Sequence, residues 1–135
     1  MKHGLITDSD GDKYWYVNNK LHREGGPAIE CANGDKYWYA NGKQHRLGGP
    51  ATDLDDGAKH WRANGKLHRT DGPAITWPNG SEFWYQNGKK HRLDGPACYY
   101  LGGNTHYWYI DDVNCTEAAF NNHPLVIMYK FANGK

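Results

Sequence analysis

The chain has 135 residues, with 16 Lys plus Arg against 15 Asp plus Glu and a formal net charge of +1. That length suits one domain or one array of small repeats, and the balanced charge leaves no global field to recruit nucleic acid or an anionic membrane. Six Trp, ten Tyr and three Phe at a mean hydropathy of −0.95 put the hydrophobic burden on rings, which favours a thin aromatic-rich sheet over a thick aliphatic core.

In chain order, the opening MKHGLITDSD holds no apolar run long enough for a signal peptide or a membrane span. From about residue 10 a period of 23 residues takes over. His-Arg recurs at His22-Arg23, His45-Arg46, His68-Arg69 and His91-Arg92, and Pro27, Pro50, Pro73 and Pro96 keep the interval, each followed by alanine. Trp15, Trp38, Trp61 and Trp84 do the same, while Trp108 falls one residue late, which places a one-residue insertion near Gly102-Gly103. The predicted units are 10–32, 33–55, 56–78, 79–101 and 102–113.

Within a unit, a strand such as Lys36-Tyr37-Trp38-Tyr39 runs straight into Asn41-Gly42, a strong signal for a tight hairpin turn. Asn18-Asn19, Asn64-Gly65 and Asn87-Gly88 hold the equivalent places. A second extended segment starts at each Pro-Ala, as in Pro73-Ala74-Ile75-Thr76-Trp77, and ends at a turn such as Asn33-Gly34 or Asn79-Gly80. The sequence leaves open whether the Lys-x-His-Arg limb between them is a third strand. After the last unit, Asn114 to Glu117 has the form of a capping box, predicting a short helix through about Phe120-Asn121 that stops before Pro124. The apolar run Leu125 to Phe131 is expected as a final strand, so that helix and strand over 114–135 cap the array. The expected fold is all-β, an elongated single-layer antiparallel meander of about five hairpin repeats with this cap.

Tyr37-Trp38-Tyr39, Asn41-Gly42-Lys43, His45 and Gly49 together resemble the membrane occupation and recognition nexus (MORN) repeat, particularly its bacterial, phage and viral variants, over roughly residues 10–113. The resemblance implies an elongated, curved antiparallel sheet used for protein or lipid contacts, without catalysis. The likeness to units carried by phages and large viruses suggests an inhibitor that sequesters a host factor.

The residues themselves offer no enzyme. Ser9 and Ser81 are the only serines, and no GxSxG, P-loop or HExxH is present. Cys31, Cys98 and Cys115 are odd in number and lack CxxC spacing, so they read as free thiols of a cytoplasmic protein. Equivalent histidines on successive units lie about 9–10 Å apart, too far to share one zinc. No metal or cofactor is expected. A position kept in every unit is read as structural, so His22, His45, His68 and His91 are expected to bond backbone, and Arg23, Arg46, Arg69 and Arg92 to stack on rings. The alternative makes these arginines, with Lys43 and Lys66, an aromatic-basic site for a nucleotide or phosphoinositide head group. Where other units have Tyr or Phe on both sides of the tryptophan, the third has His60-Trp61-Arg62, preceded by Lys59, and Trp77 is unique to its unit. Lys59, His60, Arg62 and Trp77 are therefore the candidate contacts for a protein partner. Self-association through the terminal sheet edges is also expected.

Overall fold

Asn41 and Gly42 have φ of 51° and 81°, the doubly positive pair of a type I′ turn, and Asn64-Gly65 and Asn87-Gly88 repeat it. Asn18-Asn19 and Asp111-Asp112 make the same turn without glycine, because short polar side chains tolerate the left-handed region. These turns organise the computed structural model of the protein, which describes residues 2–134.

The second unit shows how the repeat is built. Its outgoing limb is split at Trp38 into the strands Lys36–Tyr37 and Tyr39–Ala40. After the turn, Lys43–Gln44 pairs with Tyr39–Ala40, so the return limb does begin as a short third strand. The chain then leaves the ladder over residues 45–51 and re-enters as Thr52–Asp53, which pairs with Lys36–Tyr37 on one side and with Lys59–His60 of the next unit on the other. Trp38 ties the excursion down at both ends: its N–H donates to the Ala51 carbonyl (2.7 Å) and its carbonyl accepts from His45 N–H (3.1 Å). The buried backbone groups released by the break are thereby satisfied. Repeated along the chain, this yields a 12-stranded antiparallel sheet flanked by three two-stranded hairpin tips.

Three features differ from the sequence expectation. First, Gly4–Thr7 is an edge strand ahead of the first unit, paired with Lys13–Val17 so that Ile6 faces Tyr14 as Ile29 faces Tyr37. It supplies the half-unit that the first outgoing limb needs as a neighbour. Second, the fifth unit runs on to a strand at Val113–Cys115, and the cap begins only at Thr116. Thr116, not Asn114, caps helix α1 (Glu117–Asn121), its Oγ1 accepting from Ala119 N–H at 3.1 Å. Third, the run expected as a final strand is helix α2 (Pro124–Ala132). Proline suits the first helical position, where its missing N–H costs nothing, and His123 Nδ1 accepts from Leu125 N–H at 3.1 Å. Val126, Tyr129 and Lys130, at helical spacing, turn inward. Ile110, Phe120 and Val126 form the only aliphatic-aromatic cluster of buried residues among those described, closing over Trp108. The insertion lies where it was placed, in the loop between Tyr99 and His106, which face each other across one more residue than the equivalent Thr76 and Glu82.

The loops at the sheet edge that carries Asn33-Gly34 are stitched together by one repeated bond. Asp12 Oδ1 accepts from Ala32 N–H (2.8 Å), Asp35 Oδ1 from Asp55 N–H (2.8 Å), and Ser81 Oγ from Leu101 N–H (3.1 Å). In the third unit the acceptor position is buried Ala58 and the donor position is Pro78, which has no N–H. Acceptor and donor are lost together, so nothing is left unsatisfied. We expect Ala58→Asp alone to cost about 1–3 kcal/mol by burying an unpaired carboxylate, and Ala58→Asp with Pro78→Ala to recover most of that loss in a urea-melt double-mutant cycle.

Candidate functional site

The side chains sort onto two faces by strand alternation. On one face, a register row runs Ile6, Tyr14, Ile29, Tyr37, Thr52, His60, Ile75, Phe83, Cys98, Tyr107, alternating rings with smaller residues. Two residues further along each outgoing limb stand Tyr16, Tyr39, Arg62, Tyr85 and Tyr109. This is a double row of rings interrupted only in the third unit, by His60 and Arg62. Contacts across it include Phe83 against Tyr100 (5.0 Å between centroids) and Tyr100 against Tyr107 (5.8 Å). Burial pushes the Cys98 thiol beside them above its ordinary pKa, which keeps it a packing group.

The opposite face carries a ladder of alternating charge, Lys13, Glu30, Lys36, Asp53, Lys59, and beyond it the tryptophans. Each repeated arginine lies flat on its own tryptophan: Arg23 on Trp15, Arg46 on Trp38, Arg69 on Trp61 and Arg92 on Trp84, with Cζ 3.8 or 3.9 Å from the ring centroid. Each donates from Nη1 to the carbonyl of Pro27, Pro50, Pro73 or Pro96 at 3.1–3.2 Å. The guanidinium's other side is covered by the glycine before that proline. A Cβ on Gly49 or Gly72 would sit 2.6 Å from the arginine Cζ, so any side chain there must displace the guanidinium from its seat. The following alanines, Ala28, Ala51, Ala74 and Ala97, are fully buried. His-Arg-x-x-Gly-Pro-Ala is thus one clamp written four times.

The histidines join one clamp to the next. His22, His45 and His68 accept at Nδ1 from the N–H of Asn41, Asn64 and Asn87, all at 3.0 Å, and His91 accepts from Asp111 N–H at 3.1 Å. Each bond satisfies the first turn residue of the following unit. Removing one by His68→Ala should cost about 1–2 kcal/mol, read as a lowered urea midpoint, because the Asn87 N–H loses its acceptor. Lys20, Lys43 and Lys66 lie exposed in a row, their stems against Gly42, Gly65 and Gly88 of the next turn. Among the described residues no three His, Cys, Asp or Glu side chains are placed to hold a metal.

Of the four candidate contacts, the structure brings three together. His60 packs edge-on against Trp77, with ring centroids 5.3 Å apart and planes at 80°, and Trp77 is 40% exposed. Arg62 lies on the same face and donates from Nη1 to Gly65 carbonyl at 3.2 Å. Lys59 is on the other face, where its Nζ meets Asp53 Oδ1 at 2.7 Å in the charge ladder. Its neighbours on the sheet, Asp53 and Thr76, are polar, so the strand's alternation satisfies it there. His60 Nε2 and Arg62 Nε are both buried with no hydrogen-bond partner. Buried polar groups are nearly always paired, and no other side-chain atom among the described residues shares this state.

Burial, and then the Arg62 charge, lower the His60 pKa below the ordinary imidazole value of 6.5. The sign follows from proton counting. Between the folded pKa and 6.5 the unfolded chain binds a proton that the folded chain does not, so stability is full above 6.5 and falls as pH drops to the folded value. Urea melts at about pH 7.5 and about pH 5 should therefore show a smaller acid loss in His60→Tyr than in the parent.

The sequence reading did not single out Leu47 and Gly48, beside Arg46 on the tryptophan face. Leu47 is 83% exposed, second only to Phe131 among the large apolar residues described. The available signal was the alternation of glycine and aspartate before Gly-Pro-Ala: Gly25 and Gly48 in the first two units, Asp71 and Asp94 in the next two.

No protein-family model matches the chain, and no curated protein matches it either. Among the described residues the longest helix spans nine residues, and no helix is long and apolar enough to cross a membrane.

Proposed function

We propose that the protein is a non-catalytic recognition module that binds a protein partner through the ring-lined face, with His60, Arg62 and Trp77 as the central contacts. One observation carries this reading: the single interruption of the double ring row holds two buried, unpartnered nitrogens beside a half-exposed tryptophan. A repeat that conformed to its neighbours would hold tyrosines there and leave nothing unsatisfied. Keeping an unsatisfied pair at mid-array costs stability, and strain of that kind is retained where a ligand relieves it. Arg and Trp are the residue types that dominate interface hot spots. Lys59, tied to Asp53 on the other face, contributes indirectly by holding the strand.

The resemblance of the repeated unit to MORN repeats supports a sheet used for capture, and sequestration of a host factor by a phage or viral protein is the setting we favour. The test is affinity capture from a candidate host with His60→Tyr/Arg62→Tyr/Trp77→Ala beside the parent. A partner lost by the triple variant at unchanged folding is the expected result, and equal capture by both sinks the central patch. The nucleotide and phosphoinositide alternative has weaker support. Arg23, Arg46, Arg69 and Arg92 each spend a ring face and Nη1 on the clamp, which leaves Lys43 and Lys66 as the freely presented cations among those proposed.

A further inference from the structure

The tryptophan face carries a cleft between each pair of successive clamps. Between units one and two it is lined by Arg23, Glu24, Trp38, Ala40, Arg46 and Leu47. Between units three and four the equivalent residues are Arg69, Thr70, Trp84, Gln86, Arg92 and Leu93, and here α2 leans in, with Tyr129 forming part of the wall. Leu93 packs against the Ile110, Phe120 and Val126 cluster of the cap. Its counterpart Leu47, in the same place on the same scaffold, is 83% exposed. The open cleft measures about 470 Å³ against about 210 Å³ beside α2.

A second difference lies at the arginines. Arg69 Nε donates to Asp71 Oδ1 (3.0 Å) and Arg92 Nε to Asp94 Oδ1 (2.7 Å), while Arg23 Nη1 meets Glu30 Oε1 at 3.2 Å. Arg46 alone of the four has no carboxylate among the described residues. Gly48 stands where Asp71 and Asp94 stand, and Asp53, the counterpart of Glu30, is held by Lys59. The molecule thus shows a filled and an unfilled version of one site. The filled version has a helix over its leucine and a carboxylate on its arginine Nε.

From this comparison we infer that the cleft around Arg46 and Leu47 docks an amphipathic α-helix of a partner protein, which supplies an apolar side chain to Leu47 and a carboxylate to Arg46. The site lies on the face opposite His60 and Trp77; Arg62 of the central patch also reaches the neighbouring cleft, so the variants that test the site are placed at Leu47 and Gly48 and leave it untouched. The next cleft continues it with Arg62 and Arg69 against Asp71, so the surface that the helix crosses is net basic. An Arg–carboxylate pair on a stacked guanidinium is charge-assisted and directional, and Arg46 is already pinned by Trp38 and Pro50.

The test selects binders from a displayed library of randomised amphipathic helical peptides on the parent protein, then measures each recovered peptide on two variants. Leu47→Glu removes the apolar anchor and adds a repelling charge at a position too exposed to affect folding. Gly48→Asp gives Arg46 an internal carboxylate; Gly48 has φ +78°, whereas Asp71 and Asp94 have no positive φ, so the variant is expected to adopt their loop. We expect recovered peptides to carry Asp or Glu one helical turn from a large apolar residue. Binding should fall at least about tenfold on each variant and on replacing the peptide acid with lysine, the loss of one charge-assisted bond. Selection of non-acidic peptides, binding to both variants undiminished from the parent, no enrichment, or tighter and competing binding of a single-stranded oligonucleotide overturns the inference. Circular dichroism melts of both variants confirm that a loss of binding is not a loss of fold.

Discussion

Trp61→Ala should lower stability by about 3 kcal/mol, the low end for a large aromatic removed from a packed site because this indole is only partly buried, and should lower Tm by about 10 °C. The loss exceeds that of one side chain. Trp61 is the floor on which Arg69 lies, and Arg69 in turn bonds Pro73 carbonyl and Asp71. With the indole gone, the guanidinium loses its stacking surface and the loop over residues 68–74 loses its anchor. Gly72→Ala attacks the same clamp from the other side, because its Cβ would sit 2.6 Å from Arg69 Cζ and must lift the guanidinium from the ring. The two changes should therefore be strongly non-additive, the double variant costing little more than Trp61→Ala. Full additivity in chemical denaturation would show that glycine and tryptophan act separately and would refute the clamp as a unit. Trp15→Ala, in the terminal unit, should cost less cooperatively, since in a linear array each unit leans only on its neighbours.

His60→Tyr/Arg62→Tyr should move stability the other way and raise Tm by several degrees. The double variant restores the Tyr-Trp-Tyr of the first two units, and across the ladder position 62 meets Leu67 as Tyr16 meets Leu21. It removes two buried nitrogens without partners, each costing about 1–3 kcal/mol in desolvation, and returns ring surface to a row built for it. Some of the gain is offset by the edge-on contact with Trp77 and the bond to Gly65 carbonyl. A net gain of about 1–2 kcal/mol remains, read as a shift in Tm and urea midpoint. If the double variant also stops binding a partner, stability and recognition trade against each other at these two residues. A variant less stable than the parent would mean that His60 and Arg62 are structural after all, and the functional patch would lose its main support.

Much of the architecture was legible in one sequence because the chain states its rule four times. The interval fixes the unit length, Asn-Gly fixes the turn, and the late Trp108 locates the insertion, all from local chemistry that depends on nothing distant. That the repeated His and Arg serve the scaffold was legible for the same reason: a need shared by every unit is a structural need. The alternation of strand side chains also put His60 and Arg62 on one face correctly. Failures occur where the repeat stops. Leu125 to Phe131 is rich in strand-favouring residues, yet Pro124 and His123 start a helix there, and only burial of Val126 against Phe120 decides between the two. Gly4–Thr7 is too short to be read as a strand until its neighbour is known.

What the residues determined alone is the clamp's vocabulary: which residue types recur, how far apart, and which unit departs from them. Only the tertiary structure decided what each departure means. Lys59 and His60 are adjacent in sequence but lie on opposite faces, and the loss of an acceptor at Ala58 becomes harmless because Pro78, twenty residues on, offers no donor. Gly48 reads as an ordinary loop glycine until Asp71 and Asp94 are seen holding their arginines. In each case the meaning of a residue rests on a partner supplied by another unit, and that pairing exists only once the sheet is assembled.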